Sequence, residues 1–264
     1  MRWRVLCLLG LSLMLPPAAR AADAISTDRP DVVESSDVVG QGHVQIETGF
    51  QSERDADAGI RTRTRTTPTL LRIGIHDAVE LRVETDGLTL ARTDDAALGA
   101  SSGRRGWSDV ALGMKWHVQD GDEAKGVPGM AWLLHLDADT GNSAFRGQGI
   151  RPSLRFVGEW DLPHEMSVGV MPGLVMDRNA EGRRFVAGIL AVTLGKGWTP
   201  AWRSFVELAG QQIASRTNGG SVVTFDAGAT YLVNDSLQLD VSASRGLTRE
   251  SPDFAWGVGV SLRF

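Results

Sequence analysis

Apolar and polar residues alternate strictly along the last stretch of this chain. Phe254, Trp256, Val258, Val260, Leu262 and Phe264 occupy one phase, and Ala255, Gly257, Gly259, Ser261 and Arg263 the other. A period of two sends successive side chains to opposite faces of a strand. This strand therefore has one wholly apolar face and one small or polar face. The same phase recurs upstream: Leu237, Leu239, Val241 and Ala243 against Gln238, Asp240, Ser242 and Ser244, and Val110, Leu112, Met114, Trp116 and Val118 against Asp109, Lys115, His117 and Gln119. The pattern predicts strands at 43–52, 64–76, 78–90, 107–119, 129–139, 150–160, 165–176, 184–194, 202–211, 221–233, 236–245 and 253–264, all between 9 and 14 residues long. Globular strands average about five or six residues.

No segment of the mature chain has the long apolar run of a membrane helix, and the mean hydropathy is slightly polar. A soluble sandwich and a transmembrane barrel both fit that composition, because barrel strands alternate instead of running apolar. Strand length separates them: a tilted strand needs about 9 to 11 residues to cross the hydrocarbon. The expected fold class is all-β, a transmembrane antiparallel up-and-down β-barrel of about twelve strands. Connections at 91–106, 140–149, 212–220 and 246–252 are longer than those at 76–78, 161–164 and 234–235, with 120–128 a long inner turn. Long outer loops and short inner turns are the barrel asymmetry, and an even strand count puts both termini in the periplasm. Trp107 and Trp256 are expected at outer strand ends, and Trp116, Trp132, Trp160 and Trp202 at inner ends, where indole rings favour membrane interfaces.

The first residues add a targeting step. Arg2 and Arg4 precede an apolar run from Val5 to Leu15, Pro16-Pro17 breaks it, and Ala19-Arg20-Ala21 supplies small residues for cleavage after Ala21. Eleven apolar residues are too few for a membrane helix, which needs about twenty, so 1–21 is expected to be a cleaved signal peptide. This leaves 22–42 as a periplasmic N-terminal segment or a lumen plug, and 43–264 as the barrel. Removal of Arg2, Arg4 and Arg20 leaves 24 basic against 32 acidic side chains, a net charge of −8. No basic cluster of the kind nucleic acid requires is visible. Cys7, the single cysteine, lies in the signal, so the mature chain is expected to have neither disulfide nor thiolate chemistry.

The polar phase identifies candidate lumen-lining residues: Glu47, Arg72, Glu80, Arg82, Glu84, Asp109, Lys115, Asp137, Arg155, Glu159, Arg203, Glu207, Asp226, Asp240 and Arg263. Charges on walls that alternate with lipid-facing residues must meet water or each other. They either line an aqueous passage or form ladders that close the barrel. Asp28, Arg29, Asp31 and Glu34 of the 22–42 segment are candidates to pair with them as a plug. Arg61, Arg63 and Arg65 share the expected lipid face of Thr69, Leu71 and Ile73, where each costs about 2–4 kcal/mol at the bilayer midplane. Either the second strand runs past the outer interface, where the arginines meet lipopolysaccharide phosphate or solvent, or a bulge at Pro68 turns them inward. The five histidines come with no His-Glu-x-x-His, and no Gly-x-Ser-x-Gly elbow occurs. Hydrated lumen histidines account for His117 and His135 better than catalysis or a metal site does. No catalytic residue, metal site or cofactor is assigned.

The terminal strand resembles the closing strand of outer-membrane barrels, and the resemblance makes Phe264 the residue read by the outer-membrane assembly machinery. A wider similarity rests on Ile25-Ser26-Thr27-Asp28-Arg29-Pro30-Asp31, Gly42 to Phe50, Pro68-Thr69-Leu70-Leu71-Arg72-Ile73-Gly74, Val79 to Arg82, Trp107-Ser108-Asp109-Val110 and Gly113-Met114-Lys115. In this order the chain resembles the outer-membrane family assigned as transporters of the phenol meta-cleavage pathway, a phenol-degradation MetA-type β-barrel family. The resemblance implies residence among outer-membrane lipid and lipopolysaccharide, and a small-molecule solute of aromatic type. The functional expectation is an outer-membrane channel or transporter for small molecules. The alternatives are a non-conducting structural or adhesion barrel acting through its outer loops and, third, a barrel enzyme.

Overall fold

The structure is a computed structural model describing residues 24–264; the expected signal peptide and its cleavage after Ala21 lie outside the described residues. Among these residues fifteen strands join one antiparallel sheet, and the pairing of the last with the first closes it. They are β1 (Val44–Asp57), β2 (Ile60–Thr66), β3 (Thr69–His76), β4 (Val79–Thr85), β5 (Leu88–Asp95), β6 (Ala100–Trp107), β7 (Val110–Gln119), β8 (Gly129–Ala138), β9 (Arg151–Leu162), β10 (Met166–Arg178), β11 (Arg184–Gly197), β12 (Trp202–Ile213), β13 (Val222–Asn234), β14 (Leu237–Gly246) and β15 (Phe254–Arg263). Three pairs run on from one another. β2 continues into β3, β4 into β5 and β6 into β7, so the wall consists of twelve staves in up-and-down order.

Closure joins the first stave to the last. β15 meets β1 from Gln45↔Arg263 to Arg54↔Phe254, and Phe264 and Val44 exchange both backbone bonds, at 2.8 and 3.2 Å. The apolar phase points outward: Leu239, Val241, Trp256, Val258 and Leu262 are exposed, whereas Gln45, Glu47, Arg72, Glu80 and Lys115 are buried. This inversion of the globular rule is what lipid as solvent demands. At the inner end Trp132 packs against Phe156 at 4.9 Å and Trp202 against Tyr231 at 4.8 Å.

The register decides between the two expectations for Arg61, Arg63 and Arg65. β1 pairs with β2 at Gln51↔Thr66 and with β3 at Thr48↔Thr69, one uninterrupted register across Pro68. No bulge turns the arginines inward. They stay on the outward face, and the second stave extends past the lipid-facing rows to a tight hairpin at Ala58-Gly59, with φ of +50° and +84°.

The face reversal occurs one stave later. β3 pairs with β4 at Thr69↔Thr85, but β2 pairs with β5 at Arg65↔Leu90, one residue out of step. The extra residue lies at Asp86-Gly87. Gly87 has φ +66°, and a Cβ there would sit 2.4 Å from the Thr67 carbonyl oxygen, so only glycine fits this bulge. The fourth stave matches the shift at Ser108-Asp109, where the Ser108 amide donates to the Gly87 carbonyl.

The segment 91–106, expected as a loop, is therefore a correction. The outer parts of β1 and β2 with β5 and β6 continue the wall as an extended ribbon, β5 and β6 paired from Leu88↔Trp107 to Asp95↔Ala100. Neither of its faces carries a sustained apolar row, so no apolar period marks it. Trp107 consequently has wall above it instead of ending a strand. The inner turn 120–128 contains a short 3-10 turn at Glu123–Lys125 capped by Asp122.

With every edge closed except those of the ribbon, the folded protein is expected to resist SDS without heating and to migrate faster than the boiled form. Equal migration before and after boiling, for protein taken from membranes, would overturn the barrel.

Candidate functional site in the barrel interior

The segment from Ala24 to His43 crosses the interior, and its backbone is held by wall carboxylates. Glu47 accepts from the Asp28 and Arg29 amides, both at 3.0 Å. Glu207 accepts from Val32 and Val33 at 2.8 Å each. Glu159 accepts from Ser36 at 2.5 Å, and Glu80 from Val39 at 2.9 Å. Irregular backbone at membrane depth must find such partners, because unpaired amides cost several kcal/mol each away from water.

Asp28 is the hub. Its carboxylate meets Arg82 at 2.5 Å, Lys115 at 2.7 Å and Arg72 at 3.6 Å, and it caps its own segment by accepting from the Ser35 amide at 2.9 Å. Burial favours its neutral form, but Arg72, Lys115 and Arg82 outweigh burial and hold the carboxyl well below the ordinary range. Glu34 bridges Arg82 and Arg155, each at 2.6 Å; against the pull of burial these two bring it down to about 2. Arg72 also contacts Glu47 at 3.0 Å and Glu80 at 2.9 Å. Four bases (Arg72, Arg82, Lys115, Arg155) thus face four acids (Asp28, Glu34, Glu47, Glu80). A buried charge set of this kind is tolerable only when balanced.

Arg29 leaves the hub for the opposite wall, where it meets Asp240 at 3.0 Å. Its guanidinium lies over Gly259 and Gly49; a Cβ on Gly259 would fall 2.5 Å from Arg29 Nε. Asp31 is different. Burial, then the charge of Glu207, raise its carboxyl well above the ordinary range.

The remaining wall residues occupy the two mouths. An outer cavity of about 340 Å³ is lined by Glu84, Asp226 and Gln211, and an inner one of about 370 Å³ by Asp161, Arg203 and Thr230. Arg29, Pro30 and Asp31 border both. Asp226 accepts from Thr224 at 2.8 Å, and Arg203 donates to Ser167 at 2.9 Å. Asp137 pairs in register with Arg151 on the inward phase of β8, and Arg263 donates to the Asp235 carbonyl at the inner rim. Asp109 departs from its expected place on a strand. It sits in the break between β6 and β7, where it accepts from the Gly141 and Gly147 amides at 2.9 Å and from Arg151 at 2.8 Å. It therefore fastens the outer loop 139–150. His117 reaches the Ser36 carbonyl at 2.8 Å and Asp120 at 2.9 Å.

Sequence reasoning missed the apolar part of the interior. Val33 packs on Ala131, Leu133, Val157, Met171, Ala191 and Ala209, all buried. Leu133 and Met171 interrupt the polar phase of their strands, and that interruption was the available signal.

Comparison with solved structures finds the same fold. An outer membrane channel from Pseudomonas putida F1 is similar with a TM-score of 0.64 at 15% identity, over 89% of this chain and 99% of that one. The beta domain of the Bordetella autotransporter BrkA matches with a TM-score of 0.53 at 14% identity, over 84% and 99%. The KdgM porin matches with a TM-score of 0.52 at 13% identity, over 83% and 99%. No curated protein matches in sequence. A family model matches residues 27–264, from the Thr27-Asp28-Arg29-Pro30 stretch that crosses the lumen to the closing Phe264, and the chain belongs to the family described as "Putative MetA-pathway of phenol degradation".

Proposed function

We propose that this protein is an outer-membrane channel for small molecules, narrowed by its own segment 24–42 acting as a plug. The observation that carries the reading is the pair of cavities, one towards each mouth, both bordered by Arg29, Pro30 and Asp31. The obstruction between them is held by hydrogen bonds and ion pairs, which open without covalent change. The likeness in fold to outer-membrane channels and porins supports a passage rather than an enzyme. A non-conducting structural barrel is the alternative, favoured by how much of the interior the segment fills.

The lining charge constrains the solute. Glu159, Glu207 and Asp226 line the cavities and form no ion pair among the described residues, against Arg203 as the unpaired base there. An acidic lining disfavours anions. Neutral aromatic compounds are compatible with it: a phenolic hydroxyl ionises near pH 10, so a phenol enters uncharged. The family description, which names phenol degradation, agrees with that class.

Planar-bilayer recording tests the channel. Purified protein is expected to give discrete conductance steps and a reversal potential showing preference for potassium over chloride. Complete absence of steps, for protein that passes the SDS heating test, would overturn the channel and leave the structural barrel. Anion preference would overturn the charge argument.

A further inference from the structure

We propose that the outward face of the extended ribbon is a binding site for the phosphate groups of lipopolysaccharide, independent of whether the barrel conducts. The residues are dispersed in sequence and converge by strand pairing. Arg54 on β1 lies opposite Arg63 on β2, and Arg63 lies opposite Arg92 on β5. On the rows to either side Arg61 faces Asp94, and Arg65 faces Leu90, which in turn faces Arg105 on β6. Adjacent strands are about 4.8 Å apart, so Arg54, Arg63 and Arg92 form a row of three like charges on neighbouring strands.

Such a row is destabilising by itself, since like charges directly opposite on a sheet repel. Asp94 is the one carboxylate among these pairs on the outward phase, and Arg92 and Ser101 already engage it, at 3.1 and 2.5 Å. Asp55 and Asp57 belong to the other phase by alternation, and Asp57 is bound to Arg249 at 2.9 Å. The arginines instead line a groove of about 790 Å³ together with Arg245 and Phe254, which Asp55, Asp94 and Asp253 also border. Arginines outnumber carboxylates there, six to three. A surface with guanidinium in such excess matches phosphate oxygens, which arginine binds through paired donors.

The position of the groove selects the kind of anion. Arg54 lies over the Phe254 ring at 5.4 Å, and directly inward along the same face come Trp256, which contacts Phe50 at 5.6 Å, and then Val258. Cationic groups stacked directly above a lipid-facing apolar surface fit an amphiphile with phosphate at its head and acyl chains beneath. A nucleic acid or a free phosphate has no use for that apolar floor. The ribbon rises at the end of the barrel opposite to both described termini and the inner turns, which makes it the outer leaflet, where the phosphorylated glycolipid resides.

The test compares bis-phosphorylated and dephosphorylated lipid A binding to detergent-purified protein by native mass spectrometry. Wild type is expected to retain the phosphorylated lipid and to bind the dephosphorylated form at least about tenfold more weakly. Each arginine near an anionic lipid surface is worth about fivefold in binding. Combined Arg61→Gln, Arg63→Gln and Arg65→Gln should therefore weaken the phosphorylated lipid by about a hundredfold, with no change in the SDS heating shift. If that variant fails to fold, Arg54→Gln with Arg92→Gln on the neighbouring strands gives the same readout. Equal binding of both lipids, equal binding by a folded variant, or full displacement by inorganic phosphate or a short oligonucleotide would each overturn the proposal.

Discussion

Asp28→Ala is expected to raise single-channel conductance several-fold while leaving the SDS heating shift intact. Removing this carboxylate strands Arg72, Arg82 and Lys115 in the lumen with one acid fewer. Taking one partner from a buried ion-pair set costs about 3–5 kcal/mol. The penalty applies mainly to the docked segment, because withdrawal of the segment lets water reach the stranded bases. A shift of that size changes the docked-to-undocked ratio by about two to four orders of magnitude. The barrel wall keeps all its backbone ladders, so folding should survive. A glutamate-specific protease supplies a second readout, since the chain after Glu34 becomes cleavable once the segment leaves. Asp31→Asn is the control: burial and Glu207 already press that carboxyl toward its neutral form, so conductance should stay near wild type. Wild-type conductance and unchanged protease protection of the segment in the Asp28→Ala protein would sink the plug reading.

Deletion of Phe264 is expected to reduce assembled protein in the outer membrane to a small fraction, with synthesis unchanged. Phe264 closes the first-to-last strand pairing through its backbone, and its ring is 68% exposed on the outside of the wall. The folded-state loss is two backbone bonds at the rim, about 1 kcal/mol each. That is small beside a closed barrel with twelve staves. A large fall in cells is therefore a failure of recognition during assembly. The purified variant, refolded in detergent, should still show the SDS heating shift. Normal outer-membrane levels would remove Phe264 as an assembly signal, and loss of the refolded barrel would make its role structural instead.

The wall was legible because a strand against lipid repeats every two residues, and period two is a local property. Phe254 to Phe264 states the register of the last stave, and the outward and inward phases follow residue by residue. The same rule located the inward charges, from Glu47 to Asp240, without reference to any contact. It failed where neither face is apolar. β2, β5 and β6 are rich in Arg, Thr, Ser and Asp, and strands polar on both faces leave no hydrophobic phase to read. The bulges at Asp86-Gly87 and Ser108-Asp109 were hidden for a related reason: each is a single-residue slip that shows only against its partner strand.

The sequence by itself determined which side chains face inward on the lipid-facing staves and that the chain could close as a barrel. Tertiary structure decided which of those side chains meet. Asp28 reaches Lys115 across 87 residues and Arg29 donates to Asp240 across 211, separations over which alternation carries no information. The course of residues 24–43 through the lumen is set by the spacing of Glu47, Glu207, Glu159 and Glu80 on four different staves. That spacing exists only once the sheet has closed. The outer arginine row arises in the same way, because strand pairing places side by side three charges that the chain keeps apart.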